Sequence, residues 1–259
     1  MRARPGSDDR RVIFLHLPKT GGSTLRRIIE REYPADAIFT IDPDVSGSID
    51  RLLGLPPARL EAIRAVVGHA PYGLHEIVPW PAAYVTLVRE PVDRIVSHFA
   101  FAQRSPESPL HAEAGAASGS LGRYVREAPS APFFNDGQTR LLGSESPRDA
   151  PPARPETLTR ALARIDDWVG VIGLTDRFGD SLAMMRSGFG WSRVRPGREK
   201  PGWNRPGWED IPDSDLREVR EHNRMDAELY AAASLRFERD RISTGLHGGL
   251  RRLIGARAR

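Results

Sequence analysis

A chain of 259 residues with 39% hydrophobic content can bury a full core, and a length prior of about 100–200 residues per domain favours one large domain. The complete absence of cysteine excludes disulfides, thiolate catalysis and cysteine metal sites. The net charge of +4 gathers in residues 239–259, where Arg239, Arg241, Arg251, Arg252, Arg257 and Arg259 face a single acid, Asp240; the near-neutral remainder argues against a nucleic-acid-binding face. No stretch approaches the roughly 18 apolar residues of a membrane span, and residues 1–10 are charged without an apolar signal core, so no transmembrane segment and a cytoplasmic setting are expected. The expected organisation is a flexible N-terminus over 1–10, one domain over 11–238 and a basic tail over 239–259. The tail spaces Ile242, Leu246, Leu250 and Leu253 helically, a pattern open to weak contact with an anionic membrane or a partner, although Gly245, Gly248 and Gly249 weaken such a helix and a frayed end fits as well.

The first predicted element is a short buried parallel strand, Val12 to Leu15, β-branched and aromatic in character. It runs into Pro18, Lys19, Thr20, Gly21, Gly22, Ser23 and Thr24, after which Leu25, Ile28 and Ile29 follow at helical spacing. Glycines at this junction let the backbone approach a ligand while the amides of the helix start hold an anion. Lys19 adds a charge, and Thr20, Ser23 and Thr24 add hydroxyls. The loop is not a Walker A sequence, in which the lysine follows the last glycine; here Lys19 precedes both. The chain has 38 basic residues, only two of them lysine, Lys19 and Lys200. A compact ammonium at this place suits a moving oxygen charge better than a guanidinium does.

Ala65 to Tyr72 reads as a short strand ending at Gly68 and His69. Tyr84 to Val88 is a further strand running into Arg89, Pro91, Arg94 and Ser97, an R-x-P-x-x-R-x-x-S pattern. Pro91 suits the first helical position, and Val92, Ile95, Val96 and Phe99 define the buried face of the helix it opens. Arg89 at the strand end and Ser97 about two turns into the helix can then converge on one phosphate. Alternating strands and helices predict an α/β, P-loop-like three-layer fold, a mainly parallel central sheet flanked by helices with its ligands at the carboxyl ends of the strands. Two stretches, Arg104 to Ser120 and the proline-rich Ser144 to Glu156, read as loops; the first is either a cover for an acceptor cleft or an insertion. Neither a zinc-binding HExxH nor an EF-hand nor a histidine cluster occurs, so no metal is expected.

The Lys19 loop resembles the 5′-phosphosulfate loop of sulfotransferases that use 3′-phosphoadenosine 5′-phosphosulfate (PAPS), in particular the carbohydrate enzymes related to heparan sulfate 2-O-sulfotransferase. The Arg89–Ser97 pattern is similar to the 3′-phosphate motif of the same family. Later segments, Asn135 to Gly143, Val171 to Phe178 and the closing helix with Asn223, Asp226, Leu229, Tyr230 and Phe237, also resemble it, so the likeness covers roughly Arg11 to Glu238. The lack of a membrane-spanning stretch departs from the anchored animal relatives and suggests a soluble enzyme, which a bacterial origin would fit. The reaction implied by the resemblance would move a sulfuryl group from PAPS to a hydroxyl of a carbohydrate or glycosylated small molecule, leaving 3′-phosphoadenosine 5′-phosphate (PAP). In that scheme Lys19, Thr20, Gly21, Gly22, Ser23 and Thr24 hold the 5′-phosphosulfate, Arg89 and Ser97 hold the 3′-phosphate, and Lys19 and His69 are catalytic, the imidazole taking the acceptor proton. The glycine-histidine step matches the family's catalytic segment, which often has a second histidine where this chain has Val67.

His75, Asn135, Gln138 and Arg140 are candidate substrate contacts; for the last three, capping after a loop is the alternative. His16 orients the loop or packs. Glu76 and Glu90 are reserve bases. Arg198, Lys200, Asn204 and Arg205 lie in a Gly/Pro/Trp-rich stretch that could cover the cofactor. Two other functions compete: a nucleotide-dependent kinase, which needs ATP and a metal ligand set, and a non-catalytic protein that binds adenosine bisphosphate.

Overall fold

A computed structural model describes residues 11–108, 110–167, 169–193 and 210–247. The expected flexible N-terminus, the stretch with Arg198, Lys200, Asn204 and Arg205, and the tail beyond His247 lie outside the described residues. In chain order the elements are β1 (Val12–Leu15), α1 (Gly22–Glu32), β2 (Ile38–Ile41), α2 (Val45–Leu53), α3 (Pro57–Ala62), β3 (Ala65–Gly68), β4 (Ala83–Val88) and α4 (Pro91–Arg104). There follow α5 (His111–Ala116), α6 (Leu121–Glu127), α7 (Ala131–Phe134), α8 (Gly137–Leu142), α9 (Pro155–Asp167), β5 (Val169–Leu174), α10 (Phe178–Phe189), α11 (Asp213–Glu221) and α12 (Arg224–His247).

The five strands form an all-parallel sheet in the order β2-β3-β1-β4-β5. Successive side chains of a strand point to opposite faces, and all four residues of β1 and of β3 are buried. Both faces are therefore covered by helices, as parallel sheets require, and the α/β, P-loop-like three-layer arrangement follows. β1 stands at the centre, with β3 on one side and β4 on the other. Its carboxyl end thus faces the crevice where the strand order reverses, the usual binding position in such sheets.

The core divides in two. One cluster packs the sheet against α1, α9, α10 and α12, through residues such as Phe14, Leu25, Leu182 and Phe237. A second gathers Val92, Ile95, Val96 and Phe99 of α4 with Tyr124, Phe134, Leu216 and Val219. Pro91 opens α4 at its first turn, and Glu90 caps it by accepting from the Asp93 amide at 2.7 Å. Between the clusters lies a buried ion pair, Arg94 to Asp226 at 3.2 Å, with Arg94 also donating to the carbonyl of Phe134 at 2.6 Å and to Asn223 Oδ1 at 3.2 Å.

Two regions are more regular than their composition suggests. α5 forms inside the expected loop 104–120, because its alanines favour helix and Ala114 and Ala117 are buried in the second cluster. α12 runs past residue 238 to His247, since Arg236 and Asp240 pair within the core at 2.5 Å. The stretch from Ser144 to Arg154 is free of regular structure. Among the described residues no helix is long and apolar enough to cross a membrane.

Removing one partner of a buried ion pair leaves the other charge uncompensated. Asp226→Ala is expected to cost about 3–5 kcal/mol in chemical denaturation; a cost below about 1 kcal/mol would show that the pair does not join the two clusters.

Candidate functional site

Four strand ends and two helix starts build one cleft. After β1 the chain turns through His16, Leu17, Pro18 and Lys19 into α1. Lys19 and Gly21 both have positive φ, 68° and 86°; for a non-glycine residue such a conformation costs on the order of 1–3 kcal/mol and clusters at functional sites. Thr20 closes the turn by donating its hydroxyl to the Leu17 carbonyl at 2.9 Å. At the start of α1 the amides of Gly22 and Ser23 have no intrahelical acceptor, and the positive end of the helix dipole lies there. Gly22 is demanded by space: a Cβ at that position would sit 1.9 Å from His16 Cδ2.

Two side chains lock this loop to the neighbouring strand ends. Arg89, at the end of β4 and 2% exposed, donates from Nη1 to the Lys19 carbonyl at 2.9 Å and lies 3.8 Å from Asp93 Oδ2. The Thr175 hydroxyl, just beyond β5, is 2.7 Å from the Thr20 carbonyl and 3.0 Å from that of Val88. Loop, β4 and β5 therefore share one set of hydrogen bonds.

The cleft above the loop has a volume of about 620 Å³, within the range of small-molecule sites, and is lined by Lys19, Gly21, Gly22, Ser23, Thr24, His69, Arg89 and Ser97 together with His16, Pro18, Arg27, His98, Phe101 and Leu110. Thr20 is not part of that lining; its hydroxyl is used inside the loop. His75 is elsewhere, its Nδ1 2.9 Å from the Tyr84 hydroxyl. Asn135 lines a separate hollow beside Asp136 and His222 and donates to the Val125 carbonyl at 2.7 Å. Gln138 is buried against Arg89. Arg140 lines an adjoining cavity and donates to the carbonyls of Phe133 and Ala150 at 2.9 and 2.5 Å. The reserve bases are also placed: Glu90 caps α4, and Glu76 lies on the exposed side of His75.

Sequence reasoning missed Arg27, Phe101 and Thr175. Phe101 carried a signal, being four residues after Ser97 and hence on the same helix face. Thr175 fell within a segment noted only for its resemblance.

The electrostatics of the cleft are set first by burial and then by crowded positive charge. Burial, then Arg89 and Arg104, lower the Lys19 pKa to about 8. The Lys19 ammonium rests 4.0 Å from the Phe101 ring centroid, a cation–π position. Burial, then His69, Arg26 and Lys19, push His16 down to about 3. His69 stacks on the His16 ring with centroids 4.0 Å apart and opens to solvent on the cleft side. Burial lowers its pKa, the hydrogen bond to the His16 carbonyl opposes the shift, and Arg26 adds to it, the net being downward.

That hydrogen bond fixes the tautomer. His69 Nδ1 is 2.7 Å from the His16 carbonyl oxygen, and a carbonyl can only accept, so Nδ1 carries the hydrogen. Nε2 of the neutral ring keeps its lone pair, and the imidazole is equipped to take a proton there. The arrangement thus offers an anion cradle at a helix start, a second cationic position at Arg89 with the Ser97 hydroxyl, and a neutral imidazole between β3 and the loop. Among the described residues no group of three side chains is placed to hold a metal ion.

No family model matches this chain, and neither does any curated protein. Among solved structures it is similar to mouse sulfotransferase SULT7A1 complexed with PAP, with a TM-score of 0.41 and 16% identity over 82% of this chain. The chain spans 62% of the length of that protein.

Imidazole NMR checks the charge state. His16 and His69 are expected to be neutral at pH 7, with His69 protonated at Nδ1, and His16 should gain its second proton only near pH 3; an imidazolium signal from either ring at pH 7 would refute the assignment.

Proposed function

We propose that this chain is a PAPS-dependent sulfotransferase that sulfates an acceptor hydroxyl. The observation that carries the reading is convergence: the Lys19 loop, the Arg89–Ser97 pair and His69, read from three separated segments, line the same cleft. The residues fit a donor with two anionic groups. Lys19 and the amides of Gly22 and Ser23, which have no intrahelical acceptor, take the 5′-phosphosulfate, with the hydroxyls of Ser23 and Thr24 beside them in the cleft lining. Arg89 and Ser97 take the 3′-phosphate, so that binding energy remote from the reaction is converted into alignment.

PAPS, when bound, supplies an activated sulfuryl group and a phosphate leaving oxygen. Lys19 provides positive charge beside the loop where that oxygen's charge grows. His69 Nε2 takes the proton of the attacking hydroxyl, while the bond from Nδ1 to the His16 carbonyl holds the ring in place. No metal is called on in this scheme.

For the acceptor we propose a carbohydrate or glycosylated small molecule, in a cytoplasmic enzyme of bacterial type. A cavity of about 360 Å³ shares Pro18, His98 and Leu110 with the main cleft and adds Phe133, Phe134, Ser130 and Arg140. Aromatic faces beside a hydroxyl and a guanidinium suit a sugar ring, whose faces are apolar and whose rim is polar. Of the candidate acceptor contacts, Arg140 lines this cavity.

Calorimetry with PAP and ADP tests the donor assignment. The protein is expected to prefer PAP, and Arg89→Ala to weaken PAP by about 10–100-fold, since hydrogen bonds to charged groups contribute about 1.5–3 kcal/mol. Equal binding of PAP and ADP by the unaltered protein would sink the reading.

The base has its own test. His69→Ala should slow transfer by about 10²–10⁴-fold. In the unaltered enzyme kcat/KM should fall on the acid side below the ordinary imidazole value, because His69 is lowered, and on the alkaline side near pH 8, as Lys19 loses its proton. Full transfer by His69→Ala would remove it as the base.

A further inference from the structure

The Asn135–Gly143 segment and the closing helix meet directly behind the Arg89 position. Gln138, 1% exposed, turns its amide onto the Arg89 peptide in both directions: its Oε1 accepts from the Arg89 amide at 2.9 Å and its Nε2 donates to the Arg89 carbonyl at 2.9 Å. A primary amide set against one residue's N–H and C=O fixes the two peptide units that flank that residue, as a neighbouring strand would. Gln138 is itself held from behind. Asp226, on α12 and fully buried, accepts from the Gln138 amide at 3.2 Å, from the Thr139 amide at 2.7 Å and from Gln138 Nε2 at 3.3 Å, and its charge is matched by Arg94. Asp136 completes the anchor by accepting from the Asp226 amide at 2.8 Å.

We propose that Gln138 is a positioning residue for the 3′-phosphate site, clamping the Arg89 backbone and referring its position to the last helix through Asp226. The inference rests on the sulfotransferase reading. Its physical content is a matter of leverage. Arg89 leaves the strand at its last turn-out, where β5 and β1 no longer hold both sides of the peptide, and its guanidinium must still reach both the Lys19 carbonyl and the cleft. The side chain can do so only if its own Cα is fixed. Gln138 supplies that fixation from the side of α8, and no group of Gln138 faces the cleft, so its action on a ligand passes through Arg89.

The test substitutes Gln138→Met, which keeps the length and removes both hydrogen bonds, in the full chain and in the Arg89→Ala background, with PAP and ADP affinities measured by calorimetry. Expected is a loss of about tenfold or more in the preference for PAP over ADP, with ADP affinity little changed, and no further loss of preference once Arg89 is alanine. Equal losses for both ligands, an unchanged preference, or additive losses in the double variant would each overturn the clamp. Should Gln138→Met not fold, as judged by its thermal melt, Gln138→Asn is read by the same criterion: it keeps an uncharged primary amide but is one methylene too short to span the Arg89 N–H and C=O, and should show a loss of preference of the same sign. The unaltered protein separates the two failures. If it shows no preference for PAP, the donor assignment falls; if it does and the variants keep that preference, only the clamp falls.

Discussion

The hydrogen bond from the buried Arg89 guanidinium to the Lys19 carbonyl is the contact on which the rest of the site depends. It joins two positions 70 residues apart in the chain and spans the boundary between the loop after β1 and the end of β4. Lys19 has a left-handed backbone that a lysine does not adopt spontaneously, and a carbonyl turned toward a fixed cation gives that conformation a reason to persist. In return the loop carbonyl fixes one edge of the guanidinium. An anionic group bound by the loop and another bound by Arg89 would then sit at a separation defined by the protein, which is what a ligand with two phosphates requires. Thr175 secures the same junction from β5, so the geometry is shared among three parallel strands.

Such an arrangement is electrostatically unfavourable when empty of anions. Lys19 is lowered by burial and by Arg89 and Arg104, and the histidines nearest the loop are kept neutral by burial and by the cations around them. The cluster is therefore poised for a ligand that brings negative charge. By linkage, an anion that favours the protonated lysine raises the Lys19 pKa on binding and is in turn bound more tightly below that pKa. A neutral His69 is less affected than a charged one would be, because its fixed tautomer, unlike an ammonium, needs no counter-charge to persist in the pocket. In the proposed scheme binding and proton transfer thereby rest on groups of opposite electrostatic requirement that line the same cleft.

Much of this was legible in the sequence because the information was local. β1, β3 and β4 are apolar runs bounded by glycine, histidine or arginine, and the helix faces of α1 and α4 follow from residue spacing. β2 was not read: four residues, three of them half-buried at the sheet edge, carry too little periodicity. The hydroxyl of Thr20 was assigned outward by residue type, whereas the tight turn uses it internally. In the sequence Gln138 reads as a candidate substrate contact or a cap, and its partner is not legible there, since the carboxylate that holds it comes from 88 residues further on and no spacing rule reaches that far. His69 is the intermediate case. Its position after a strand was readable; the carbonyl that fixes its tautomer depends on the pairing of β3 with β1, which only the folded sheet supplies.

The use of lysine at position 19 in so arginine-rich a chain follows from the division of labour between the two cations. Arg89 has a planar, branched head that is fixed by the Lys19 carbonyl, and in the proposed scheme it serves a charge that stays where it is. Lys19 has a flexible stem, and its half-buried ammonium rests on the face of Phe101, an attraction that runs from about 0.5–1 kcal/mol for an exposed cation to about 2 kcal/mol for a desolvated one. In the proposed scheme the ammonium leaves this contact for an oxygen that becomes more negative as a bond breaks. An arginine at position 19 would keep the charge but bring a second guanidinium beside Arg89, broad and always protonated, into a turn whose backbone is already bent into a left-handed conformation. The pairing of one static and one mobile cation, joined through a carbonyl, is therefore a chemical specification as well as a structural one.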